Sequence, residues 1–171
     1  MLALILGVGT LLVPTSSYGA FNQGLTLPVT KNPIVNKGTK VGFTILSAQV
    51  QDNTDPKSGK AIPDRLALKV RNLSTKKLSN LEVFYTMKDQ VTKASESYYQ
   101  KLRNYSVQGK SVGYIYFDNF KGFGHFPENK FSIYRNSNNE VKFTIELSAV
   151  GFKPKFIVAT KAKGTTENPN G

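Results

Sequence analysis

A chain of 171 residues with one histidine and no cysteine has few groups from which to build chemistry. His125 stands in Gly122-Phe123-Gly124-His125-Phe126-Pro127-Glu128-Asn129, between two strand-like segments. As a general base it needs a carboxylate to orient its ring, and Asp118 and Glu128 are the near candidates. No serine occupies a Gly-x-Ser-x-Gly elbow, so the expectation is a protein that is not an enzyme. Zinc wants three or four His or Cys ligands, which one histidine cannot supply. Oxygen donors gather best at Asp52, Asn53, Asp55 and Asp64, but they lack the alternate-position acids of a calcium loop, and Lys57 and Lys60 lie among them. That segment reads as a polar turn, and neither a metal nor a cofactor is expected.

Aromatic side chains are the richer resource. Tyr98, Tyr99, Tyr105, Tyr114, Tyr116, Phe117, Phe120, Phe123 and Phe126 crowd into residues 98–126. Interior packing claims most aromatics in a small domain. Yet strict alternation puts Tyr114 and Tyr116 on the face opposite Ile115 and Phe117, so both faces of that strand are bulky. A tyrosine-bearing sheet face can stack on sugar rings while Lys and Asn hydrogen-bond hydroxyls. The expected ligand contacts are Tyr98, Tyr99, Tyr105 and Tyr116, with Lys101, Lys110, Lys121 and His125 beside them. The complete absence of tryptophan, the preferred stacker for sugars, counts against this reading.

Charge narrows the partner. Lys and Arg number 23 against 11 Asp and Glu, a formal net charge of +12, and all of these residues follow position 20. Such a balance favours polyanionic glycans, cell-wall polymers, anionic headgroups or extracellular nucleic acid. The competing account is that lysine keeps a β-domain soluble and blunts its edges. Arginine, the better fork for phosphate, occurs only at Arg65, Arg71, Arg103 and Arg135, and only Lys76 and Lys77 are adjacent. No nucleic-acid-binding module signature is present.

The elements that must position these residues have period two. Val41, Phe43 and Ile45 alternate, as do Leu66, Leu68 and Val70, then Leu81, Val83, Tyr85 and Met87, and most cleanly Val141, Phe143, Ile145 and Leu147. Phe131 and Ile133 suggest a further strand, joined to the next through a hairpin loop at residues 135–140. Residues 155–160 suggest a last one. Only residues 93–102 read as a possible helical turn. Regular short strands between turn-rich separators predict an all-β, antiparallel β-sandwich of immunoglobulin-like or jelly-roll kind, with about seven or eight strands. That domain would occupy residues 41–160. Residues 21–40 would be a linker or irregular first strand, and residues 161–171 a disordered tail.

Within residues 64–88, Val70-Arg71-Asn72-Leu73-Ser74 and the stretch from Leu78 to Tyr85 resemble the strand, Asn-x-Ser turn and strand of family 3 carbohydrate-binding modules and related bacterial sandwiches. The resemblance covers about 25 residues and implies a fold class only. The tryptophan-containing strip of cellulose binders has no counterpart, so cellulose specificity does not follow from it.

Residues 1–20 hold no charged side chain. An apolar run from Leu2 to Val13 precedes Pro14 and the small residues before Phe21. This is the order of an export signal, with cleavage after Gly19 preferred, although a basic n-region is missing. A membrane anchor is the rival, but 12 strictly apolar residues fall short of the roughly 20 that span a bilayer. A buried N-terminal strand is the third reading. The combined expectation is an exported, disulfide-free bacterial protein, secreted or in the cell envelope, with no membrane span once processed. It would bind a polysaccharide or acidic surface polymer, or else be a structural or assembly component of the cell surface that meets a protein partner through a sheet edge, with residues 21–40 as a donated strand. An uncharacterised secreted hydrolase working through His125 is the second alternative. Intracellular nucleic acid is not an expected partner.

Overall fold

The computed structural model describes residues 26–54, Ser58 and residues 61–164. The proposed signal at 1–20, residues 165–171, and the side chains of Asp52, Asn53, Asp55 and Asp64 lie outside the described residues.

Eight strands and one helical turn follow in order: β1 (Phe43–Thr54), β2 (Ala61–Asn72), β3 (Leu81–Asp89), β4 (Ser95–Lys101), β5 (Val112–Phe117), β6 (His125–Phe126), α1 (Ile133–Asn136), β7 (Val141–Ala149) and β8 (Lys155–Lys161). They form two four-stranded sheets, β1-β2-β5-β6 and β4-β3-β7-β8. The protein is an all-β sandwich, as its periodicity predicts. The pairings are antiparallel except that of β5 with β6, where Tyr116 lies opposite His125 and Phe117 opposite Phe126.

Alternation decides which side chains meet between the sheets. Leu66, Leu68, Val70, Ile115 and Phe117 point inward from the first sheet, and Val83, Tyr85, Met87, Phe143, Ile145 and Leu147 from the second. Tyr85 sits at the centre, with Tyr98 and Phe117 each 5.5 Å away between ring centroids. With side chains from both sheets interleaved, each strand presents its other face outward.

Three local expectations are corrected. Residues 93–102 hold strand β4 and not a helical turn: its inward side chains are Glu96, Tyr98 and Gln100, and two of those three are polar, which hides a period-two pattern. Phe131 and Ile133 do not form a strand. Residues 133–136 make a single helical turn that buries Tyr134 and Arg135 against Glu128. The tail does not begin at Lys161, which ends β8, is 2% exposed, and donates from Nζ to the Ser137 carbonyl.

Residues 26–42 cross the outer side of the second sheet as an extended strap. The Val29 amide donates to the Ser97 carbonyl on β4, and Asn32 Nδ2 donates to Glu146 on β7. Asn36 Nδ2 donates to Ser148 Oγ and to the Ala149 and Phe152 carbonyls. Gly42 passes so close to the Phe152 ring that an added Cβ would lie 2.1 Å from it. Val29, Asn32 and Asn36 thus tie the strap to its own domain, although it belongs to neither sheet.

Candidate ligand-binding face

The outer face of the first sheet is assembled by register. Opposite pairs across β2 and β5 place Lys69 beside Tyr114, and across β5 and β6 they place Tyr116 beside His125. Residues two apart on a strand share a face, so Tyr114 and Tyr116 stand in one row; their rings are parallel to within 6° at 6.2 Å. The His125 ring follows 5.0 Å from Tyr116, and Phe120 meets the other side of His125 at 6.1 Å. Arg65 lays its guanidinium over Tyr116, 4.2 Å from the centroid, and Lys69 Nζ is 5.7 Å from the Tyr114 centroid. Both are cation–π geometries.

Beneath the row lies Asp118, whose side chain is fully buried. It accepts from His125 Nδ1 at 2.9 and 3.0 Å and from the Phe120 amide at 3.1 Å, with Arg65 at 3.7 Å. A carboxylate only accepts, so the imidazole proton sits on Nδ1 and Nε2 is left on the ring's far side. Asp118, and not Glu128, is therefore the orienter of His125. No hydroxyl or amine donor is hydrogen-bonded to His125 among the described residues.

The loop from Asp118 to His125 owes its shape to backbone conformations that few residues adopt. Asn119 has φ 62°, and Gly124 has φ 85° with the Tyr114 carbonyl 2.6 Å from where a Cβ would be. The Gly124 carbonyl accepts from the Tyr116 amide, which begins the parallel pairing. The next turn is fixed from below. Glu128 accepts from Tyr134 Oη at 3.0 Å and is ion-paired with Arg135, all three being buried. Burial pushes the Glu128 carboxyl up to about 7, with Arg135 and Tyr134 pulling the other way.

The structure divides the expected contacts. Tyr116, Lys121 and His125 belong to the first sheet's face or its bordering loop. Tyr98 is corrected to a core residue, and Tyr105 is nearly buried, reaching only the wall of a hollow at the end of the sandwich. Tyr98 is fully buried, bonded to Glu96 and Asn129, because it points inward from β4. Tyr105 packs against Phe123 and Phe126, and burial raises its hydroxyl to about 12. Tyr99 and Lys101 stand on the opposite sheet, where both engage Glu82. Lys110 occupies a turn with φ 61° and donates to the Leu73 carbonyl. Arg65, Lys69 and Tyr114, which is 47% exposed, were not among the expected contacts. Tyr114 was legible from its alternation with Tyr116, but the two cations needed the β2–β5 register. Among the described residues no three His, Cys, Asp or Glu gather as a metal site, and no helix is long and apolar enough to cross a membrane.

No family model matches the sequence, and no curated protein matches it. Among solved structures, the sporulation control protein Spo0M from Bacillus subtilis is similar at a TM-score of 0.32 and 10% identity, over 74% of this chain and 49% of that one. The chain thus spans about half the length of the Spo0M structure, a likeness too slight to bear on fold or function.

Proposed function

We propose that this protein is an exported, non-catalytic module that binds an anionic or hydroxyl-rich polymer, most plainly a glycan, on the outer face of its first sheet. The observation that carries the reading is the row Tyr114, Tyr116 and His125 with Arg65 and Lys69 set against the rings. Rings supply stacking surface for sugars, and the cations supply charge-assisted donors. The one carboxylate among the described residues of this face, Asp118, is buried and turned toward His125 and Arg65, so what a ligand meets is positive. Gln49 and Gln51 on β1 extend the same face with amide donors and acceptors, and Arg65 Nε donates to Gln51 at 2.6 Å. Export places these groups where polymers of that kind occur, and it rests on the pattern of residues 1–20.

Affinity electrophoresis in gels containing polygalacturonate, a neutral glucan or no polymer tests the reading. Retardation by a polysaccharide at low salt is expected, and Tyr114→Ala should weaken it at least about tenfold, the effect of losing 1.4 kcal/mol. Equal mobility in every gel would sink the proposal. Retention by single-stranded DNA alone would replace the glycan with a nucleic acid.

A further inference from the structure

A second concavity lies apart from that face, at the end of the sandwich where β3 begins and β4 finishes. The hollow is about 700 Å³ and is lined by Lys77, Asn80, Glu82, Lys101, Arg103 and Asn104 among others. That size suits a small ligand, since such sites run to about 300–1,000 Å³. Its walls are fixed by main-chain bonds: the Leu102 amide donates to Leu81, and Leu78 and Val107 exchange both of their bonds. A ligand would therefore enter a shape already formed.

The charge is unbalanced. Three cations line the hollow against one carboxylate, Glu82. Glu82 is itself engaged, accepting from Tyr99 Oη at 2.7 Å and lying 3.8 Å from Lys101 Nζ. Neither Lys77 nor Arg103 has an ion-pair partner among the described residues. Arg103 and Lys101 also border a neighbouring hollow with Tyr99, Gln100 and Pro127. The excess of two positive charges matches a dianion. Around it, Ser79, Asn80, Asn104 and Ser106 offer neutral hydrogen-bonding side chains of the kind that hold hydroxyls.

We infer that this end of the sandwich is a binding site for a phosphate monoester carried on a polyol or sugar, with Arg103 and Lys77 holding the phosphate and the asparagines holding hydroxyls. A guanidinium fork binds phosphate through two parallel bonds, which an ammonium cannot reproduce. The site shares no residue with the aromatic row and does not depend on what that row binds.

The experiment is a titration of the full isotope-labelled chain with glucose 6-phosphate, inorganic phosphate and glucose at constant ionic strength, followed by amide NMR. Saturable shifts confined to the amides around Leu81 and residues 102–106 are expected with glucose 6-phosphate. Inorganic phosphate should bind at least several-fold more weakly, and glucose should leave those amides unmoved. Arg103→Ala and Lys77→Ala should each weaken binding about tenfold or more, Arg103→Lys should recover only part of the loss, and Lys142→Ala, a surface charge on the opposite stretch of β7, should change nothing. Shifts that never saturate, equal affinity for inorganic phosphate, or an Arg103→Ala protein that binds as the parent does would each overturn the inference. Unchanged amides elsewhere in the Arg103→Ala spectrum show that the variant is folded.

Discussion

Asp89 ties two loops together through a single carboxylate. It ends β3, is buried, and accepts from the Val91 and Thr92 amides at 2.8 Å, from Ser137 Oγ at 2.6 Å and from Asn139 Nδ2. These donors favour the charged form and hold the carboxyl well below its ordinary 3.8. Because the folded value lies below the unfolded one, the stabilisation is complete above about pH 4 and is lost as pH falls further. Chemical denaturation between pH 2 and 6 should show that loss, and Asp89→Asn should flatten it. A variant with the same acid slope as the parent would remove Asp89 from the account. Asn72 plays the neutral counterpart. Fully buried, it donates to the Lys76, Val107 and Gln108 carbonyls and accepts from the Ser74 amide and hydroxyl. Asn72→Ala strands several of these groups at once, and should cost about 3 kcal/mol in urea unfolding. The Asn-x-Ser turn on which this segment's resemblance to carbohydrate-binding modules rests is therefore a loop clamp.

Elements show where the sequence was legible. The strands β2, β3 and β7 were readable because each alternates large apolar with mainly polar residues, and β5 because Ile115 and Phe117 alternate with Tyr114 and Tyr116; their inward sets form the core. Strand β4 was not, since its inward Glu96 and Gln100 satisfy buried donors and acceptors and not an apolar surface: Glu96 takes the Tyr98 hydroxyl and the Ile133 amide, and Gln100 reaches the Pro127 carbonyl. The site was half legible for a related reason. Alternation can say that two tyrosines share a face, but which face of β5 is open depends on how the two sheets pack, which sets Phe117 against Tyr85 and leaves Tyr114 half-exposed. The loop between β5 and β7 rests on the Glu128–Arg135 pair. Removing one partner of a buried pair leaves the other charge stranded, so Arg135→Ala should destabilise by about 3–5 kcal/mol, whereas the paired change Glu128→Gln with Arg135→Met should cost much less. Equilibrium denaturation of the three proteins decides it, with equal losses arguing against a coupled pair.

At the scale of the whole molecule, the positive charge is unevenly used. Glu82, Asp89, Asp118 and Glu128 are engaged by neighbours in their own domain, while Lys121, Lys69 and Arg71 remain at the surface around the aromatic row. Binding of an acidic polymer should then weaken steeply with ionic strength, because exposed charges are screened beyond a Debye length of about 8 Å at physiological salt. Stacking on the rings is much less sensitive to salt. Measuring affinity for polygalacturonate from low to high sodium chloride separates the two contributions. A flat profile would assign the interaction to the tyrosines alone.

The aromatic row also makes the protein its own spectroscopic probe. With no tryptophan in the chain, tyrosine accounts for its ultraviolet emission. A phenol hydrogen-bonded to a carboxylate gives up its proton in the excited state and emits poorly, and Tyr98, Tyr99 and Tyr134 are each bonded in that way, to Glu96, Glu82 and Glu128. Tyr116 is stacked under a guanidinium and beside an imidazole. Of the two tyrosines on the ligand face, Tyr114 is therefore the half-exposed one without such a neighbour pair, so its share of the emission should respond when a polymer settles on the sheet. Tyr114→Phe, which keeps the ring but removes that reporter, should bind nearly as well and show a smaller change in emission on binding.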